Sequence, residues 1–145
     1  MEEINKAIVT GILRAGAQIE ERLNESLKAA QLSVPQFNVL RILRGQKQRA
    51  VSLSVVQRHM IKKMSNTSRL IDKLMDKGLV SREVCAKNRR QVDICITPQG
   101  LELLQQLDSI IATTEEVITK NLSHEEKKYF LLLIMKFYAV PQEKN

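Results

Sequence analysis

Residues 65–97 read SNTSRLIDKLMDKGLVSREVCAKNRRQVDICIT, and the spacing of their apolar side chains changes once along the stretch. In the first half Thr67, Leu70, Ile71 and Leu74 recur at three- and four-residue intervals, the buried face of a helix over about Met64 to Lys77. Gly78 stands where a helix C-terminus takes a left-handed residue. Beyond it the period is two. In Val80–Val84 and Val92–Ile96 apolar and polar residues alternate, apart from Arg82, as in strands with one buried face. The segment between, Ala86-Lys87-Asn88-Arg89-Arg90, is short, polar and basic, which predicts a two-stranded hairpin with a charged tip.

On the N-terminal side, Ser52 is placed to cap a short helix carrying Leu53, Val56 and Met60, and a brief turn at Ile61–Lys63 leads into the next helix. Gly45 to Ala50 is a polar connector. Before it, Ser33-Val34-Pro35-Gln36 forms a capping box with Pro in the first turn, and Phe37, Leu40, Ile42 and Leu43 give the helix its apolar face. Residues 4–30 carry Ile4, Ile8, Ile12, Ala15, Ile19, Leu23 and Leu27 at helical spacing. Gly11, Ala15, Gly16 and Ala17 add a small-residue patch that lets another helix approach. On the C-terminal side, Thr97-Pro98 starts a helix whose Leu104, Leu107, Ile111, Thr114 and Ile118 follow a coiled-coil-like seam. Ser123 and Glu126 make a second capping box, ahead of a Tyr129–Met135 run that is apolar nearly all the way round. Such a helix needs cover on several sides, and a second subunit is the expected cover.

The order helix, turn, helix, strand, basic tip, strand within residues 52–97 is the layout of a winged helix-turn-helix. The expected fold is mainly α with a small β-hairpin. Residues 33–98 form a winged helix-turn-helix DNA-binding lobe, and 1–32 with 99–145 form a helical dimerisation lobe.

Charge points the same way. The net charge is +7, yet residues 1–40 hold four Lys/Arg against five acids, and residues 91–145 hold five Lys against eight. Residues 41–90 hold fourteen Lys/Arg against three acids, a local excess of +11 over the predicted helix-turn-helix and wing. A basic lobe in a near-neutral scaffold suits a polyanion. All five aromatics (Phe37, Tyr129, Phe130, Phe137 and Tyr138) lie outside that segment, so it lacks the stacking platform of a single-strand or RNA binder, and duplex DNA is the preferred partner. The apolar runs are too short to span a bilayer and the start has no secretory pattern, so a cytoplasmic protein without membrane partners is expected.

In the fourth helix the residues off the buried stripe include Ser65, Asn66, Ser68, Arg69 and Lys73, with acids toward its far end. Entry into a major groove N-terminus first presents Asn to adenine, Arg to guanine and Ser to bases or phosphate. The competing reading leaves Arg69, Asp72 and Lys73 in ordinary surface pairs. At the wing, Lys87, Asn88, Arg89 and Arg90 are the candidates, the two arginines suited to a narrow minor groove. No nucleophile elbow, Gly-rich phosphate loop or paired carboxylates mark a catalytic centre, so no enzyme is expected. His59 and His124 have no acid or Cys at metal-ligand spacing, and no metal or cofactor is expected. Cys85 and Cys95 lie several residues apart along the ribbon, too far for a disulfide.

Several of these residues together resemble the MarR (multiple antibiotic resistance regulator) family. They are Ser68-Arg69-Leu70-Ile71-Asp72-Lys73-Leu74, Lys77-Gly78-Leu79-Val80, Arg82, Arg89-Arg90 and Ile96-Thr97-Pro98-Gln99-Gly100, and the match runs over residues 34–104. The resemblance implies a homodimer on a near-palindromic operator and a repressor relieved by a small aromatic or phenolic effector held between the lobes. It also implies no thiol sensing, because the peroxide-sensing branch uses a cysteine in the first helix and none precedes Cys85. Asn88 stands where the family pattern has Asp, and Ile61 where it has a small residue. The alternative, from another class, is a dimeric winged-helix protein-interaction or adaptor module that does not read DNA.

Overall fold

Four side chains fix where helices begin. Ser33 Oγ accepts from the Gln36 N–H at 3.2 Å while Gln36 Oε1 accepts from the Ser33 N–H at 3.0 Å, so both halves of the capping box form. The second box repeats this with Ser123 and Glu126, at 3.2 and 2.7 Å. Ser52 Oγ accepts from the Val55 N–H and Thr97 Oγ1 from the Gly100 N–H, at 3.4 and 3.1 Å. The computed structural model describes residues 1–47, 49–63, 66–84 and 90–138. Its elements are α1 (Glu2–Leu27) with a 3-10 turn (Lys28–Ala30), α2 (Val34–Gly45), β1 (Val51–Ser52), α3 (Leu53–His59), α4 (Thr67–Asp76), β2 (Val80–Val84), β3 (Val92–Ile96), α5 (Pro98–Thr119) and α6 (His124–Phe137).

The chain is mainly helical, as its periodicities predict, with two differences in detail. The hairpin is part of a three-stranded antiparallel sheet of order β1-β3-β2, since Val51 pairs with Ile94 and Ser52 with Asp93. Two residues are too few to show alternation, so the strand between the connector and the Ser52-capped helix was not visible in the pattern. The fourth helix starts at Thr67 rather than Met64, and Asn66 is its N-cap, whose carbonyl accepts from the N–H groups of Arg69 and Leu70 at 3.0 and 3.2 Å. The Asn66 side chain makes no capping bond. The wing register is as expected, with Ser81 opposite Cys95 and Val84 opposite Val92.

The core gathers around α2, where Phe37, Val39, Leu40 and Leu43 meet Leu70, Ile71 and Leu74 of α4, Ile94 and Ile96 of β3, and Leu104 and Leu107 of α5. The predicted seam of α5 is therefore spent largely inside the chain, and at its upper end Thr114 Oγ1 bonds Ser26 Oγ of α1 at 2.6 Å. Gly78 takes φ +74°, the left-handed conformation its position called for. At Gly100 an added Cβ would lie 2.4 Å from the Leu79 carbonyl oxygen, so only glycine lets α5 start this close to the sheet. Thr97 completes the junction: its hydroxyl donates to the Gly78 carbonyl at 2.7 Å and its N–H to the Leu79 carbonyl at 3.1 Å. The end of α4, the root of the wing and the start of α5 are thereby fastened at one point.

Beyond this core, α1 buries only Leu27 and α6 buries nothing. The small-residue patch around Gly11 and Gly16 faces open space, with no atom within 4 Å of a Cβ added at either glycine. No described helix is long and apolar enough to cross a membrane.

Candidate nucleic-acid interface

Thr67, Leu70, Ile71 and Leu74 are buried, which turns Ser68, Arg69, Asp72 and Lys73 outward, with Asn66 exposed just before them. Of the two outward cations neither pairs with Asp72. That carboxylate accepts instead from Arg82 of β2, and among the described residues Arg69 and Lys73 form no ion pair. Of the competing surface-pair reading, Asp72 does form a surface pair, but with Arg82 rather than with Arg69 or Lys73.

Arg82 is the residue that broke the alternation of its strand, and the structure explains why. It stands opposite Ile94, which is buried, so it occupies the sheet face turned toward α4. A cation is tolerated there because Asp72 meets it, and the wing is tied to α4 by that contact. The periodicity break was the available signal for this role, which sequence reasoning left unassigned.

Asn38 was also missed. It lies among the buried residues of α2, and its Oδ1 accepts from the Ile61 N–H at 2.9 Å, fixing the turn between α3 and α4. A lone polar residue in an apolar helix face is the only sequence signal, and satisfied core polars look the same. Arg44 of α2 donates two hydrogen bonds to Asp108 of α5, at 2.9 and 3.0 Å. Those bonds, reinforced by the Arg44 and Arg41 charges, hold the Asp108 carboxyl below the ordinary carboxylate range against weak desolvation.

Arg90 is exposed at the base of the wing ahead of β3. Ser65, Lys87, Asn88 and Arg89 lie outside the described residues, as does Cys85. Cys95 is half-buried in β3, and burial, followed by the nearby Glu83 charge, pushes its thiol pKa up and so disfavours the reactive thiolate. A cleft of about 740 Å³ separates the end of α1 and the start of α2 from α4, lined among others by Asn24, Lys28, Ser33 and Lys73.

A helix-turn-helix whose second helix turns outward cations that form no ion pair among the described residues, followed by an antiparallel wing, has the architecture of winged-helix DNA-binding domains. Residues 32–92 match the sequence model of the MarR family. The fold recurs in solved structures. A MarR transcription factor from Planctomyces limnophilus is 27% identical with a TM-score of 0.70, covering 92% of this chain and 96% of that one. A mutant MarR from E. coli complexed with operator DNA is 24% identical with a TM-score of 0.82, over 92% and 96%. BpsR of Bordetella bronchiseptica, whose DNA binding is regulated by 6-hydroxynicotinic acid, is 21% identical with a TM-score of 0.81, over 90% and 98%. The chain is thus similar to the MarR family of transcription regulators over residues 32–92, and it shares the fold of the solved members over most of its length.

Proposed function

We propose that the protein is a homodimeric repressor that holds a near-palindromic duplex operator and releases it when a small-molecule effector binds. The observation that carries this reading is the outward face of α4, where Arg69 and Lys73 are exposed and form no ion pair among the described residues, while Arg82 takes up Asp72. Residues 33–98 are the DNA-binding lobe, and 1–32 with 99–145 the dimerisation lobe. Ser65, Asn66, Ser68, Arg69 and Lys73 serve the major groove, with Arg69 as the base-reading residue. Lys87, Asn88, Arg89 and Arg90 serve the flanking minor groove, whose narrow A/T segments concentrate negative potential. Operator binding in the E. coli relative and effector control in BpsR support the extension to this chain. The cleft beside α4 is the proposed effector seat, because Lys73 lines it and a ligand there touches the recognition helix directly.

Fluorescence anisotropy on a selected duplex, titrated with salt, tests the reading. A dimer neutralising on the order of 6–10 phosphates gives log affinity falling against log salt by about 0.9 per contact. Half-sites are expected roughly 10 bp apart. Arg69→Ala is expected to cost about 1–3 kcal/mol and to relax preference at one base pair per half-site. Arg90→Ala is expected to weaken all sequences alike and flatten the slope. A flat wild-type slope favours the adaptor module instead, and identical profiles for the two variants remove the assignment of recognition helix and wing.

A further inference from the structure

From Ser26 to Ile71 the chain contains nine Lys/Arg and no acidic residue, a longer acid-free run than the recognition helix needs. Several of those cations are already engaged. Arg44 is bound to Asp108, and the Arg41 guanidinium lies 5.5 Å from the centre of the Phe37 ring. Arg58 at the end of α3, and Lys62 and Lys63 in the turn before α4, are exposed and form no ion pair among the described residues.

The backbone that carries these lysines is held from within. Met60 is buried on one side of the turn and Thr67 on the other. Between them the Ile61 N–H is held by the buried Asn38 carboxamide at 2.9 Å, while the Ile61 side chain is 84% exposed. A hydrophobic residue turned outward just ahead of two lysines is not placed by burial. It is placed by the bond its backbone makes. The result is a pair of ammonium groups directly after a backbone N–H anchored to α2, ahead of the N-terminal end of α4. Preorganised cations lose less ordering entropy on binding a polyanion than cations on a loose loop.

We propose that Lys62 and Lys63, with Arg58, form a second phosphate-binding element that grips the sugar–phosphate backbone beside the groove entered by α4, and that Asn38 is its positioning residue. The proposal rests on the operator-binding reading above and adds to it a contact surface apart from the outward face of α4 and the wing. Lysine ammonium groups bind phosphate as point charges and carry no base preference.

The test is the salt titration of K62A/K63A on the wild-type duplex and on a scrambled one. The slope is expected to flatten by about 0.9 for each phosphate the variant no longer neutralises, with equal weakening on both duplexes. K62R/K63R is expected to keep the slope. K120A/K127A, which removes the same charge far from the turn, is expected to leave it unchanged. Asn38→Ala is expected to flatten the slope although every cation remains; if that variant does not fold, the lysine variants decide alone. A steep wild-type slope that K62A/K63A leaves unaltered, or one that K120A/K127A flattens equally, overturns this assignment and leaves operator binding standing. A wild type with no salt-dependent duplex binding removes both.

Discussion

The bidentate pair of Arg44 and Asp108 joins α2 to α5, and its chemistry fixes how stability depends on acid. The native carboxyl titrates below its unfolded value of about 3.9. Its contribution is therefore present above that pH and is lost as pH falls through the lower native value. Both side chains are substantially exposed, at 35% and 52%, so solvent screening keeps the contribution small. Asp108→Asn is expected to lower unfolding free energy by about 0.2–1 kcal/mol at pH 7. The gap between variant and wild type is expected to close in urea melts well below pH 4. A gap that persists in acid would assign the effect to packing rather than charge. Cys95 gives a second residue-scale expectation. Because burial and Glu83 hold its thiol protonated, a C85S/C95S variant should keep wild-type DNA affinity and respond to peroxide no differently. Release of the wild type alone by peroxide would make the thiols sensors.

Among the elements, the junction of α4, wing and α5 shows why family motifs have fixed spacing. Gly78 ends a helix in the left-handed region, Thr97 bonds its carbonyl, and Gly100 leaves room for the Leu79 backbone. Gly100→Ala puts a methyl against both the Leu79 carbonyl and the Ile96 side chain, and overpacking of this kind is expected to cost roughly 1–3 kcal/mol in a denaturant melt. An unchanged midpoint would show that α5 can shift without cost. The Gly78 helix stop and the Thr97 cap were legible in the sequence because each is local, whereas the Thr97–Gly78 bond, across 19 positions, and the close approach of Gly100 to the Leu79 backbone join distant parts of the chain and were not. The elements that escaped are those set by tertiary partners. β1 exists only because β3 lies beside it. The turn ahead of α4 is held at Ile61 by Asn38, a contact across 23 positions of chain. Arg82 was visible as a fault in the alternation, but its meaning required Asp72 to be placed next to it. Of the site, the exposed face of Ser68, Arg69 and Lys73 followed directly from the periodicity of the buried stripe.

At the scale of the whole molecule the outstanding demand is apolar surface. Ile4, Ile8 and Ile12 on α1 are 44–61% exposed, and Tyr129, Leu131, Leu132 and Met135 on α6 are 52–65% exposed. The two helices stand at opposite ends of the chain; α1 gives the core around α2 only Leu27 among its buried residues, and α6 gives it none. Burying such side chains contributes roughly 1.5–3 kcal/mol each, so leaving both faces in water is an expensive state that self-association relieves. A two-fold axis through this lobe would leave α4 and the wing outside the contact and free to meet DNA in pairs. The expected outcome is a particle of twice the 16.6 kDa chain mass by light scattering at micromolar concentration. Leu132→Lys, which sets a charge in the middle of the apolar helix, is expected to yield monomers with the α2–α5 core still folded by circular dichroism. Removing the second half-site from reach should then weaken operator binding by about 10²–10⁴-fold, because the second lobe no longer binds intramolecularly. Half-site affinity should remain, since Arg69 and Lys73 are untouched. A wild-type monomer, or a monomeric variant with full operator affinity, would separate DNA binding from this surface and leave the apolar faces of α1 and α6 to a different partner.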